Sequence, residues 1–367
     1  MSVAYVMEQN ATVGLESERL VIKKDRSVLH SLLLFKLEQL VLFGNVFLTP
    51  AAVSALLRRG IDTIFMSLNG HYRGRLQPPL SKNITLRCEQ FQKMSDAGFC
   101  LQAARSIVAG KIANSRTVLL RLNRNREGLG LEDHIRNLKL LGQKAAEADD
   151  MEVLRGFEGR SAAVYFEGFS KGLLAEGVNF QKRVRRPPTD PVNALLSLGY
   201  TFLFNTVMAA VSLVGFDPYL GCLHSVEYGR PSLVLDLMEE WRSPVVDSLV
   251  LSLFNLRTLT PDDFERCAPD EDQESEGVET GEEPQDPAPH RPGGGGVKSG
   301  RIGLPLKLKE AGFRKFITYF ERKIAEKIQY PPTGNELTYR DCIREQVRLF
   351  ARYVRGEEAA YRPVKTR

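Results

Sequence analysis

Apolar and polar residues follow two different periods along this chain. Val3, Tyr5 and Met7 occupy alternate positions, and Arg19 to Lys23 makes a second short β-rich run. Both fit the two-residue period of a half-buried strand. Apolar runs at 32–35 and 39–43 can pair around Lys36, Leu37 and Glu38, or form a short helix. Thr49 and Pro50 then supply an N-cap and a first-turn proline for a helix through Arg59. Gly60 closes it, and residues 61–66 return to strand. The expected unit over residues 1–77 is small and β-rich with at least one helix. Its edge strands and apolar faces make it a candidate for dimerisation.

Gln77, Pro78, Pro79 and Leu80 break that pattern, placing a linker at 78–88. Beyond it the period lengthens. Residues 91–112 and 138–148 recur at helical spacing, and 124–130 reads as a turn. A further helix is expected to begin at Gly156, with glycine on each side of Glu158 permitting a close backbone approach or helix packing. Residues 192–216 hold no charged side chain and are long enough to span a bilayer. Asn193, Ser197, Thr201 and Asn205 interrupt them, so a buried core helix is expected and no membrane anchor. Arg230, Pro231 and Ser232 open another helix, which Pro244 discourages from running unchanged beyond Ser243. The predicted fold class is therefore α+β: a small N-terminal β-rich domain followed by a larger all-α domain over 89–367. Residues 268–300, rich in acids, proline and glycine, read as a disordered insert within it.

The helix after Pro231 carries the first candidate chemistry. Asp236 and Glu239 are three residues apart and share a face, beside an apolar stripe of Val234, Leu237 and Trp241. An acidic pair bordering a buried stripe needs a cation or hydrogen-bond donors; otherwise it is a solvated face. His224 precedes this helix, and Glu158 lies well upstream. If the fold unites them, carboxylate oxygens and an imidazole suit Mg²⁺ or Mn²⁺.

Charge and cysteine usage narrow the classes. Net charge over the 367 residues is +5, yet residues 270–286 hold nine acids and no lysine or arginine, so the remainder is far more basic. That balance favours a polyanionic partner such as nucleic acid. Five widely spaced cysteines without paired spacing support neither a disulfide framework nor a zinc site. The N-terminus lacks a basic region and apolar core of the secretory kind, which suggests a reducing cytoplasm. No phosphate-loop lysine motif, Rossmann fingerprint or serine-nucleophile motif is present. Arg340, Arg344, Arg348, Arg352 and Arg355 form a stripe that either touches phosphates or is solvated. The same choice holds for Lys182, Arg183, Arg185 and Arg186. Tyr165 and Tyr200 line a channel or pack in the core.

Three stretches in order carry a resemblance: residues 154–159 (Leu-Arg-Gly-Phe-Glu-Gly), 186–200 (Arg-Pro-Pro-Thr-Asp-Pro onward to Tyr200), and Leu223-His224 through Gly229-Arg230-Pro231 to Arg242. Together the chain resembles the CRISPR-associated endonuclease/integrase of spacer acquisition, the Cas-one family. The resemblance implies a helical catalytic domain in which Glu158, His224 and Glu239 bind the catalytic metal, with Asp236 as an accessory carboxylate. It implies joining of prespacer 3′-hydroxyl ends to CRISPR repeat DNA, by a homodimer assembled with the small Cas-two partner in a prokaryotic cytoplasm. A metal cage of this kind serves hydrolysis and strand transfer alike. On the residues alone, a structure-specific DNA repair nuclease and a non-catalytic DNA-binding scaffold therefore stay open.

Overall fold

A computed structural model describes residues 2–77, 83–126, 128–184, 187–267 and 304–366. The chain divides into two compact units, Met1–Lys82 and Asn83–Arg367. The insert expected at 268–300, together with Arg185 and Arg186, lies outside the described residues.

The first unit holds two four-stranded sheets. One runs β1 (Ser2–Val6), β5 (Leu37–Phe43), β7 (Asp62–Met66) and β8 (Tyr72–Leu76), with β8 antiparallel to β7 and the others parallel. The other runs β4 (Ser27–Leu33), β3 (Arg19–Lys24), β2 (Thr12–Glu16) and β6 (Phe47–Leu48). The pairing expected between 32–35 and 39–43 does not form. A 3-10 turn at Leu34–Lys36 redirects the chain, so β4 pairs with β3 while β5 joins the other sheet. Alternation sets which face of a strand is buried but says nothing about its neighbour. Leu20 and Ile22 on β3 and Leu40 and Leu42 on β5 meet Leu56 of α1 (Pro50–Arg59) in one core. That helix begins as its sequence dictates: the Thr49 side chain accepts a hydrogen bond from Ala52 N, and Gly60 closes it at φ 63°.

The second unit is mainly helical. Its helices are α2 (Ile84–Met94), α3 (Ala97–Asn125), α4 (Glu132–Ala146), α5 (Met151–Lys171), α6 (Pro191–Val214), α7 (Ser232–Trp241) and α8 (Ser248–Asn255). After the insert come α9 (Glu310–Ile324) and α10 (Tyr339–Val354). Two short hairpins, β9 (Phe264–Arg266) with β10 (Leu306–Leu308) and β11 (Lys327–Gln329) with β12 (Glu336–Thr338), complete it. Residues 84–88, expected in the linker, are the first turn of α2, capped by the Asn83 side chain. The expected helix at 91–112 is two helices, because Ser95 and Asp96 break it and Asp96 caps α3 through the N–H groups of Gly98 and Phe99.

Helix α6 passes the length and composition test for a membrane span, yet 78% of its most apolar window is buried inside the unit. Its N-terminus is fixed by Asp190, which accepts from Asn193 N at 2.9 Å. Helix α3 packs against α4, α5 and α7, and these contacts place α3, α5 and α7 around one buried polar cluster.

Candidate metal centre

Glu158 sits in the middle of α5 and does not begin a helix. Asp150 caps α5 at Val153 N (2.8 Å), so the helix starts at Met151, upstream of the expected Gly156. Leu154, Glu158, Ser161 and Tyr165 form its buried face, leaving the glutamate 1% exposed on an otherwise largely apolar stripe. A Cβ on Gly156 or Gly159 would meet nothing within 4 Å, so neither glycine is required for packing against a neighbouring helix.

Helix α7 is buried along its whole length, which removes the reading of a solvated acidic face. Pro231 stands at the N-cap rather than inside the first turn. Around Pro244 the helix does not run on unchanged: a π-helical turn at Arg242–Asp247 carries the chain into α8. Proline lacks an N–H and crowds the preceding turn, and the wider π spacing accommodates both.

Asp236 grips the segment that brings His224 in. Its carboxylate accepts from the backbone N–H groups of Cys222 (2.5 Å), Leu223 (3.0 Å) and His224 (3.0 Å). It also contacts the imidazole Nδ1 of His224 at 2.6 Å. An ionised carboxylate only accepts, so this contact puts the proton on Nδ1 and leaves the lone pair on Nε2. The turn requires Gly221, where a Cβ would lie 2.6 Å from Asp236 Oδ2 and 2.7 Å from the Ser232 carbonyl carbon. Asp236 is thus the orienter of His224.

Two cations compensate the remaining acids. Lys111, from the middle of α3, ion-pairs with Glu158 Oε1 and lies 2.7 Å from Glu239 Oε2. Arg242 donates from Nε to Glu239 Oε1 at 2.8 Å and stacks over the Tyr200 ring at 4.7 Å. Burial alone pushes the Glu239 carboxyl up, but the charges of Arg242 and Lys111 outweigh it and hold the group down at about 2.

A frame of buried polar groups surrounds this centre. Glu240 accepts from the Tyr361 hydroxyl and from Val364 N (2.6 Å), and burial pushes its carboxyl up to about 8. Asn114, one turn after Lys111, donates to the carbonyls of Glu240 and Val364, each at 2.8 Å. Tyr165 and Tyr200, expected either in a channel or in the core, are buried and donate to Asp247 at 2.9 and 2.6 Å. Arg183 is likewise occupied, donating to Asn193 Oδ1 (2.9 Å) and Ser197 Oγ (3.0 Å). The α10 arginines are matched with acids, Arg340 with Glu321 at 2.8 Å and Arg355 with Glu89 at 3.6 Å among them.

Sequence reasoning missed Lys111, Arg242, Glu240 and Asp247. The signal for Lys111 was present: a lysine on the same α3 face as Ile107, Asn114, Ser115 and Val118, all buried. Among the described residues, no three His, Cys, Asp or Glu side chains already converge as a ligand set. The ammonium of Lys111 stands between the two glutamates as the cation. The donors nevertheless fit a hard divalent metal, with two ionised carboxylates and an imidazole whose Nδ1 is committed elsewhere.

This geometry defines a class, a helical domain with a buried carboxylate–histidine centre following a β-rich domain. Residues 4–270 match the model of the CRISPR associated protein Cas1 family, and the chain belongs to that family. It is 37% identical to a CRISPR-associated endonuclease Cas1 of Thermus thermophilus, over 100% of this chain and 98% of the relative. It is 34% identical to a Cas4/Cas1 exonuclease–endonuclease fusion of Geobacter sulfurreducens, covering 99% of this chain and 60% of the fusion. Among solved structures, a casposase bound to integration product superposes with a TM-score of 0.78 at 21% identity, covering 99% and 93% of the two chains. A Cas6-RT-Cas1–Cas2 complex gives 0.76 at 23% identity, over 99% of this chain and 36% of that one. These two likenesses show the fold.

Proposed function

We propose that this protein is a metal-dependent DNA endonuclease and strand-transfer integrase of CRISPR adaptation, joining prespacer 3′ ends to repeat DNA. The observation that carries the reading is the shared cationic centre: Glu158 and Glu239, from different helices, meet one ammonium, while Asp236, on the same helix as Glu239, holds His224. The proposed ligands are Glu158, Glu239 and Nε2 of His224, with Mg²⁺ or Mn²⁺ as the metal. When bound, that ion supplies Lewis-acid stabilisation of charge at the phosphate.

The side chains of this chain do the positioning. Asp236 keeps the proton of His224 on Nδ1, so Nε2 faces coordination with its lone pair. Arg242 fixes the rotamer of Glu239, and Asp236 holds the loop that carries the imidazole. In strand transfer, the oxygen of a prespacer 3′-hydroxyl forms a bond to phosphorus as the bond from phosphorus to the repeat's 3′ oxygen breaks. The hydroxyl proton passes to solvent and the released oxygen gains one. One phosphodiester replaces another, so no external energy source is needed.

The names of the neighbours support the partners proposed for this chain. One is an integration-product complex and another contains Cas2, in keeping with a homodimer working with the small Cas2 partner on DNA in a prokaryotic cytoplasm.

The test uses the full chain, the small partner, Mg²⁺ or Mn²⁺ and a branched half-site substrate. Glu158→Ala and His224→Ala are each expected to lower joining by about a hundredfold or more. Full joining by either variant overturns the site. Cleavage without joining, with the partner present, favours a repair nuclease. DNA binding without chemistry in either metal favours a scaffold.

A further inference from the structure

The charges at the centre already balance. Glu158 and Glu239 contribute two negative charges, and Lys111 and Arg242 two positive ones. A divalent cation entering this buried site leaves it with excess positive charge unless a resident cation withdraws. The two cations differ in their freedom to do so. Arg242 is stacked on the Tyr200 ring and bonded through Nε, with an 11% exposed side chain. Lys111 carries a compact ammonium on a flexible four-carbon stem, and its side chain is 18% exposed. Its backbone, in contrast, is pinned. Gly110 packs so closely on Pro363 that a Cβ would lie 2.5 Å from the proline Cβ, and Asn114 accepts from Thr366 N at 2.8 Å. Helix α3 is therefore held at this point, and the lysine side chain is the part with freedom to move.

We propose that Lys111 is the exchange partner of the metal. Its ammonium holds Glu158 and Glu239 in register before loading, yields both carboxylates to the divalent cation, and is thereby delivered to the phosphodiester oxygen drawn to that cation. This rests on the assignment of Glu158 and Glu239 as ligands. It makes the lysine a competitor for the ligands and a helper of the reaction at once. A purely structural lysine would do neither, since its loss would splay the carboxylates and weaken metal binding.

The test measures Mn²⁺ binding by calorimetry at pH 8 on the full-length protein and on Lys111→Met, which keeps the stem and removes the charge. Lys111→Gln serves as a second variant should Met fail to fold, with folding followed by circular dichroism. The expected result is Mn²⁺ affinity raised tenfold or more, while joining at saturating Mn²⁺ falls a hundredfold or more. Unchanged or weaker Mn²⁺ binding in a folded variant overturns the exchange, and joining at the normal rate overturns the role at phosphate. Failure of the unaltered protein to bind Mn²⁺ sinks the metal assignment itself, a separate outcome. Normal binding there, with no gain in the variant, sinks this inference alone.

Discussion

Helices α7 and α10 both carry charges at helical spacing, yet their charges have different consequences. On α10 the arginines reach acids across solvent-facing surface, with Arg344 3.6 Å from Asp341 and Arg352 3.5 Å from Glu358. On α7, Asp236, Glu239 and Glu240 are at most 3% exposed, and each has its own buried partners. An exposed pair gains little because water already solvates both ions. A buried pair is bound to its partners by the cost of leaving either one alone. The same spacing thus yields a solvated surface on one helix and a pre-assembled centre on the other.

The strongest way to break this contrast is to remove an α7 acid. Glu239→Ala leaves Lys111 and Arg242 short of a counter-charge in a buried site, and is expected to destabilise the protein by roughly 3–5 kcal/mol. Urea unfolding followed by circular dichroism measures it. A loss under about 1 kcal/mol would mean that water already screens the cluster and that α7 behaves like α10.

How far the sequence disclosed this contrast depended on whether the signal was local. The cap at Thr49, the stop at Gly60 and the helical run of α6 depend on neighbours in the chain, and each could be read directly. Glu158, His224 and Glu239 could be named from motif order, with Asp236 as an accessory carboxylate. Their surroundings could not be read so. Nothing within α7 says that its outer face is covered, since the cover comes from α3 and from residues 361–366, more than a hundred residues away in either direction. Lys111 was overlooked in part for the same reason: its place on the face of Ile107 and Val118 was legible, but its partners Glu158 and Glu239 lie on α5 and α7. Strand pairing failed likewise around Lys36, where the 3-10 turn sends β4 and β5 to different sheets. The α10 stripe itself was legible, but its acids at 321 and 89 were not, because they lie outside its own helix.

A second prediction places Asp247 on the buried side of the contrast by its pH signature. Burial pushes its carboxyl from 3.8 up to about 6, despite hydrogen bonds from Tyr200 and Tyr165 and the charges of Arg242 and Arg183. The folded state therefore holds a proton that the unfolded chain releases at lower pH. The resulting stability is full below 3.8 and is lost as pH rises through about 6. Across that window this group should reduce stability by about 1.4 kcal/mol per pH unit. Asp247→Asn removes the titration, so the stability difference between variant and parent should slope between pH 4 and 6 and level off above it. A difference independent of pH would place Asp247 in contact with water.

The smallest effect falls on α10 and sharpens the contrast from its exposed side. Arg348 pairs with Glu345 one turn earlier, and the arginine side chain is 52% exposed. Removing the guanidinium returns Glu345 to water, which solvates it nearly as well as the arginine did. Arg348→Ala should thus change unfolding stability by about 0.5 kcal/mol or less, and raising the salt concentration should shrink that difference further. Parallel urea titrations at low and high salt measure both quantities. A loss of several kcal/mol that salt leaves untouched would place this arginine in the regime of Lys111, and would make the charges of α10 part of a buried framework as those of α7 are.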